Sequence, residues 1–346
     1  MSNVIRLFDS KRDAQKVEEK MALAQVIREA REAEFPGYTM QNGLFVNRTN
    51  PFEQAGKIVR GSETSLDALA KASMNWDVVT EPLQTMSGRP VMSHKANFRD
   101  DTMGLLGVTG KNYKVILNRD AFKFTEFLQK EGWTYETVGE ANGGAVTWIC
   151  MKAPGNTQID GEPFNHYVLI ANSFNGKGSL KVVFTTVRVI CNNMFALAMK
   201  QSSLSISIPH KGDVRGRMEE AQTVIRGSVS YYSELEDEFK RMKEVKVSDD
   251  RAKEIIDKLY PIDYVNDSAR TISANEEKKA EFWARLNAPD IRDFRNTAAG
   301  LVNAASDMAT HTELHRRTAN YAENLLVTMT TKKNLVTDVY NMVMAA

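Results

Sequence analysis

Only two cysteines, Cys150 and Cys191, occur in 346 residues. So few thiols exclude a disulfide scaffold, and their spacing excludes a cysteine-built metal centre. A reducing compartment is expected. The chain also lacks any apolar run near the roughly 20 residues that a membrane-spanning helix needs. Its first twenty residues, MSNVIRLFDSKRDAQKVEEK, hold no apolar stretch of signal-peptide length. The expected location is therefore cytoplasmic, in the host cytoplasm if the protein is viral, with no membrane partner. Net charge is scarce too, at +1. What is present, 42% hydrophobic and 26% charged residues, is a globular composition, enough for one large core or two modest ones.

Catalytic signatures are also missing. GLLGVTGKN at 104–112 has Leu105 where a phosphate loop needs its first glycine, and Asn112 where it needs a magnesium-binding hydroxyl. A tight turn between strands, eased by Gly107 and Gly110, is expected there instead. His311 and His315 lie one helical turn apart, a zinc-compatible spacing, but no third ligand or carboxylate shares their face. Cys191 and His210 could be neighbours, yet nothing supplies the orienting group that a nucleophile pair requires. Asp100 and Asp101 suit a solvated turn. The expectation is a protein that binds without a cofactor or metal; an enzyme is the less favoured reading.

Three stretches differ in hydrophobic period. Residues 1–60 read as an arm: Val17, Met21, Leu23, Val26, Ile27 and Ala30 predict an amphipathic helix over 13–34, followed by a loop. Residues 61–212 read as an α+β core. A helix over 66–73 follows a capping box at Thr64 and Asp67. Strands are expected at 76–79, 105–108 and 113–117, then a helix over 119–131 capped by Asn118. Further strands are expected at 133–138, 145–152, 166–171 and 180–191, a helix opening at Asn192 or Asn193, and a strand over 203–208. Residues 213–346 are helical, with helices over 249–259, 276–286, 293–308 and 313–344 among them. The fold class is α+β: an antiparallel β meander with crossing helices plus an α-helical C-terminal region.

Charge is unevenly placed. From Arg89 to Arg217 there are sixteen Lys and Arg against ten Asp and Glu, while the remainder is net acidic. Lys177, Lys181, Arg188, Lys200, Lys211, Arg215 and Arg217 share a window in which Asp213 is the only acid. Arg188 interrupts an apolar strand, so it needs a partner, either an internal carboxylate or a ligand phosphate. Aromatic residues lie close in sequence, and single-strand nucleic-acid binders combine basic grooves with aromatic platforms. Trp148 and Tyr167 are the candidates for stacking a base.

Particular blocks carry a resemblance. RDDT at 99–102, LGVTGKNYKVILNRDAF at 106–122, TTVRVICNNMFALAM at 185–199, a strand ending at His210 and NTAAGLVNAASDMATH at 296–311 resemble the phage/plasmid-like family catalogued as domain of unknown function 932. SLDALAKASMNWDVV at 65–79 fits as well. The resemblance marks Tyr113, Asn118, Arg188, Cys191, Asn193 and His210 as motif positions and carries no activity. The order helix, Gly132-Trp133, three antiparallel strands and helix is similar to the β-β-β-α core of single-strand annealing proteins, the recombination mediators and their phage counterparts. That similarity implies single-stranded DNA binding, strand annealing in recombination or replication, and a homo-oligomer. Lys177, Lys181, Arg188, Lys200, Lys211 and Arg215 would contact phosphates. The alternatives are a protein-interaction module acting on a host or defence protein without DNA binding, and an enzyme acting on nucleic acid or a nucleotide.

Overall fold

Between residues 134 and 188 the sequence is rich in Val, Ile, Thr and aromatic side chains, and these runs pair as antiparallel strands. The computed structural model of the chain describes residues 40–41, 44–45, 50–123, 125–159, 162–188, 194–195, 205–226, 229–311, 321–322, 325–326 and 334–345. They form two compact units. One comprises Asn47–Arg241 and Ala309–Asp338. The other comprises Met242–Met308 with the described parts of Met1–Val46 and Val339–Ala346.

In the second unit, strands β1 (Met40–Gln41) and β2 (Leu44–Phe45) pair as a short hairpin. The first unit opens with helix α1 (Pro51–Ala55), strand β3 (Lys57–Ile58) and helix α2 (Ser65–Lys71). Strands β4 (Val78–Gln84), β5 (Pro90–Arg99) and β6 (Leu105–Gly110) follow, then short helices α3 (Asn118–Lys123) and α4 (Glu126–Lys130). Next come β7 (Thr134–Ala141), β8 (Val146–Lys152), β9 (Thr157–Ile159), β10 (Glu162–Ser173), β11 (Leu180–Arg188), β12 (Met194–Phe195) and β13 (Ser205–Ile208). The rest is helical: α5 (Val214–Arg226), α6 (Val229–Glu244), α7 (Asp249–Leu259), α8 (Ala269–Leu286), α9 (Ala298–His311) and α10 (Leu335–Met344). The architecture is α+β with antiparallel sheets and a helical C-terminal region.

The main sheet runs in the order β12-β11-β10-β8-β7-β3, with β9 on β10 and β13 also on β11. Successive side chains of a strand point to opposite faces, and here both faces are covered. Ile149, Met151, Val168, Ile170, Val182 and Phe184 pack with Leu69, Phe122, Leu128 and Ala221 from helices α2 to α5. Trp148, Cys150, Tyr167, Leu169, Val183 and Val187 pack on the other side with Phe52, Ala322 and Leu325. Two-sided burial explains why β8, β10 and β11 read as near-continuous apolar runs.

Strands β4, β5 and β6 make a separate three-stranded sheet, which Trp76, Leu106 and Phe174 join to the main sheet. Asn97 donates to the Phe174 carbonyl at 2.8 Å. Arg99 forks the Asp101 carboxylate at 2.9 and 2.8 Å, reaches Glu140 at 3.0 Å and lies 4.4 Å over the Trp76 ring. The RDDT block is therefore a clamp between the sheets. Gly107 sits inside β6 rather than in a turn. A Cβ there would come 2.5 Å from the Asn175 Cα, so its glycine lets the β10–β11 turn approach the strand.

Several local expectations are corrected. Residues 113–117 form no strand: the Lys114 amide donates to the His210 carbonyl at 2.7 Å and Asn172 caps the Ile116 carbonyl at 2.8 Å, so the backbone is satisfied without a ladder. The helix over 119–131 divides at Thr125, whose hydroxyl donates to the Phe122 carbonyl at 2.6 Å and competes with helical bonding. Asn118 does not act as a cap. Its side-chain oxygen accepts from Thr147 at 2.7 Å beneath the sheet. Met194 and Phe195, expected in a helix, pair with Val187 and Thr186 on the open edge of β11. The arm helix over 13–34 and most of 313–333 lie outside the described residues.

A close approach inside the sheet gives a direct test. A Cβ on Gly139 would lie 2.0 Å from the Trp148 ring, whereas one on Gly110 meets nothing within 4 Å. Gly139→Ala should destabilise the fold by about 1–3 kcal/mol, and Gly110→Ala should stay within about 0.5 kcal/mol. Equal urea midpoints for the two variants would contradict this packing.

Candidate functional site

Three connections of the first unit converge: the loop after β6, the turn between β10 and β11, and the link from β13 to α5. Each is fixed locally. Asn175 accepts from the Lys177 amide at 2.9 Å, with Gly176 at φ +74°, which makes a tight Asx turn. Asp213 accepts from the Gly216 amide at 3.0 Å and caps α5. The Tyr113 hydroxyl donates to the Ser173 carbonyl and ties the first loop to the end of β10. The Tyr113 ring stacks on His210 with centroids 4.6 Å apart and planes inclined by 12°.

His210 is buried, and its Nδ1 lies 3.0 Å from the Lys114 carbonyl. Only an Nδ1–H can bond a carbonyl, so Nε2 carries the lone pair; it is buried with no partner among the described residues. Burial holds the His210 pKa below the usual histidine value, against the hydrogen bond to the carbonyl. Burial also raises the Tyr113 hydroxyl well above its ordinary range. Both rings are neutral packing elements under the loops.

Above them lie two adjoining clefts of about 500 and 800 Å³. Lys111, Lys177 and Lys211 line the smaller; Lys95, Lys111, Lys114, Lys211 and Arg217 line the larger. No Asp or Glu lines either cleft, and none of these six cations meets a carboxylate among the described residues. Lys114 donates to the Gly212 carbonyl at 2.7 Å and Arg217 to the Lys211 carbonyl at 3.4 Å. These bonds orient both groups without neutralising them. Elsewhere in the chain many cations are paired, as in Arg60–Glu136 at 2.6 Å and Arg119–Asp77 at 2.7 Å. Like charges gathered in this way repel one another, so the clefts favour an anion.

The structure sorts the residues expected from sequence. It brings Tyr113, His210, Lys177, Lys211 and Arg217 together. Arg215 is fully exposed, faces Glu219 at 3.7 Å and lines neither cleft. Lys181 is half-buried in β11, between Ala171 and Ser207 in register, and also lines neither. Arg188 ends β11 with its backbone opposite Phe164; its side chain, like Lys200, Cys191 and Asn193, lies outside the described residues. Trp148 and Tyr167 are corrected as stacking platforms. Both are enclosed in the core, with 1% and 2% of their surface exposed, and the Tyr167 hydroxyl accepts from Asn50 at 3.0 Å. Lys95, Lys111 and Lys114 were not singled out by sequence, although the last two flank Tyr113 in its motif block. Among the described residues no cluster of three or more His, Cys, Asp or Glu could hold a metal ion, and no helix is long and apolar enough to cross a membrane.

The buried histidines set a pH dependence. Burial pushes His166 down to about 4 and lowers His210 too. Below an unfolded pKa of about 6.5 the unfolded chain binds protons that the folded chain refuses, so stability falls as pH falls. From pH 7 to pH 5 the expected loss from His166 alone is about 2 kcal/mol, read as a falling urea midpoint. An unchanged midpoint across that window would refute buried neutral histidines.

No curated protein and no solved structure matches the chain. The family model described as a domain of unknown function, DUF932, matches residues 105–329, from β6 through the basic loops and the main-sheet meander to beyond α9. Tyr113, His210 and five of the six cleft cations fall inside that span, and on the strength of this match the chain belongs to the domain of unknown function 932 family.

Proposed function

We propose that this protein binds single-stranded nucleic acid through the basic clefts around Tyr113 and His210, as an accessory of recombination or replication in a phage or plasmid setting. The observation that carries the reading is the set of six cations without a carboxylate among the lining residues. Phosphate contacts supply most non-specific nucleic-acid affinity, through counterion release. The clefts are concave and of nucleotide size, which suits a flexible strand with a splayed base better than the convex backbone of a duplex. Strand annealing and self-assembly extend the same reading.

A second reading has its own observation. Val79, Leu105 and Val108, on the three-stranded sheet, are 39%, 58% and 48% exposed, and Met86 and Met92 of the β4–β5 hairpin are more exposed still. Apolar surface of this kind suits a protein partner, a host protein or a second copy.

Fluorescence anisotropy with labelled oligonucleotides across a salt series tests the first reading. Log K should fall linearly against log salt, with a slope of about −0.7 for each phosphate of a single strand that the cations engage. Lys111→Ala and Lys211→Ala should each weaken binding and flatten that slope by about 0.7. Absence of binding at low salt, or variants indistinguishable from the parent, would end it in favour of the protein-partner reading.

A further inference from the structure

The two clefts are chemically unequal. The smaller offers ring surfaces from Tyr113 and Pro209, the hydroxyls of Ser93 and Ser179, and the Asn112 amide, with three lysines around them. The larger offers neither serine nor proline. Five cations surround it, with Asn112, Tyr113 and the backbone of Gly212. The clefts share Lys111, Asn112, Tyr113 and Lys211, so one ligand can occupy both.

We infer that the joined clefts hold a nucleoside 5′-polyphosphate, with the nucleoside in the smaller and the phosphate chain in the larger. The inference rests on the basic clefts being the ligand site, as proposed above, and names what fills them. Charge density carries it. A diester strand brings one negative charge per nucleotide, which leaves most of the five cations in the larger cleft uncompensated. A triphosphate concentrates three linked phosphates, the terminal one doubly ionised, within the length of one nucleotide. Lys114 and Arg217 are already oriented by backbone carbonyls, and each retains N–H groups for phosphate oxygens. In the smaller cleft the Tyr113 ring is half-buried and backed by His210, a held aromatic surface for a base. Serine hydroxyls and the asparagine amide suit sugar and base edges. With no carboxylate lining the site, the phosphate charge is met by Lys and Arg directly, and magnesium is not required.

The same chemistry comes from a free nucleotide or from the 5′-triphosphorylated end of an RNA strand. Isothermal titration of the full chain in EDTA separates the cases, using a nucleoside triphosphate, the matching monophosphate, inorganic tripolyphosphate, a 5′-hydroxyl oligonucleotide and a 5′-triphosphorylated oligoribonucleotide. The triphosphate should bind at least about tenfold tighter than the monophosphate and than tripolyphosphate. Lys95→Ala and Arg217→Ala should each cost about tenfold for the triphosphate and leave the monophosphate nearly unchanged, with thermal midpoints as in the parent. Tighter binding of the triphosphorylated strand than of the free nucleotide assigns the source to strand ends; the reverse assigns it to free nucleotide. Equal affinity for mono- and triphosphate, or loss of triphosphate binding in EDTA, would overturn the inference, while binding of the 5′-hydroxyl oligonucleotide would leave the nucleic-acid reading standing. Triphosphate binding without any oligonucleotide binding would do the opposite.

Discussion

Lys114 and His210 exchange two hydrogen bonds: the Lys114 amide donates to the His210 carbonyl at 2.7 Å, and His210 Nδ1 donates to the Lys114 carbonyl at 3.0 Å. The basic clefts depend on this reciprocal pair. Residues 113–117 have no strand ladder, yet their carbonyls and amides must be satisfied. His210 at one end and Asn172 at Ile116 supply the partners. The Tyr113–His210 stack and the Tyr113 hydroxyl on the Ser173 carbonyl then lock the loop over the end of β10. Tyr113 and His210 thus act as scaffold, and the lysines beside them are presented as a consequence.

The same economy recurs in the rest of the first unit. Polar side chains link separate elements: Asn97 donates to the Phe174 carbonyl, Asn118 accepts from Thr147, and Arg99 spans Asp101, Glu140 and the Trp76 ring. Buried charge is compensated by proximity, as charge transferred out of water requires. In the second unit Arg285, almost wholly enclosed, meets both Asp307 and Glu281. The six cations of the clefts differ in being gathered together with no Asp or Glu among the residues that line the clefts.

The sequence disclosed the main sheet because two-sided burial writes itself as long apolar runs, visible in β8, β10 and β11. The helix over 249–259 matched to the residue, and Thr64 caps α2 through the Asp67 amide as its pattern implied. Strand β5 escaped because PVMSHKANFR is mostly exposed over its first half and carries no sustained apolar alternation. Residues 113–117 looked like a strand because β propensity does not report whether an edge is available. Trp148 and Tyr167 were misplaced for a related reason: aromatic residues in strands serve cores as readily as surfaces, and only packing decides. Of the site, Lys177, Lys211, Arg217, Tyr113 and His210 were legible from the charge window and the resemblance. Lys95 of β5 and the Lys111 and Lys114 that flank Tyr113 meet Lys177 and Lys211 only because segments distant in sequence come together, a relation that no local pattern encodes.

On the proposed function, charge gathered in the clefts, rather than basic surface in general, recruits an anionic ligand. Oligonucleotide affinity of the Lys111→Glu, Lys211→Glu double variant, set against Arg215→Glu on the exposed, Glu219-paired face of α5, tests it most directly. Loss of binding in the double variant with affinity within about twofold of the parent for Arg215→Glu is the predicted result. Equal losses in both, with both proteins folded, would contradict it.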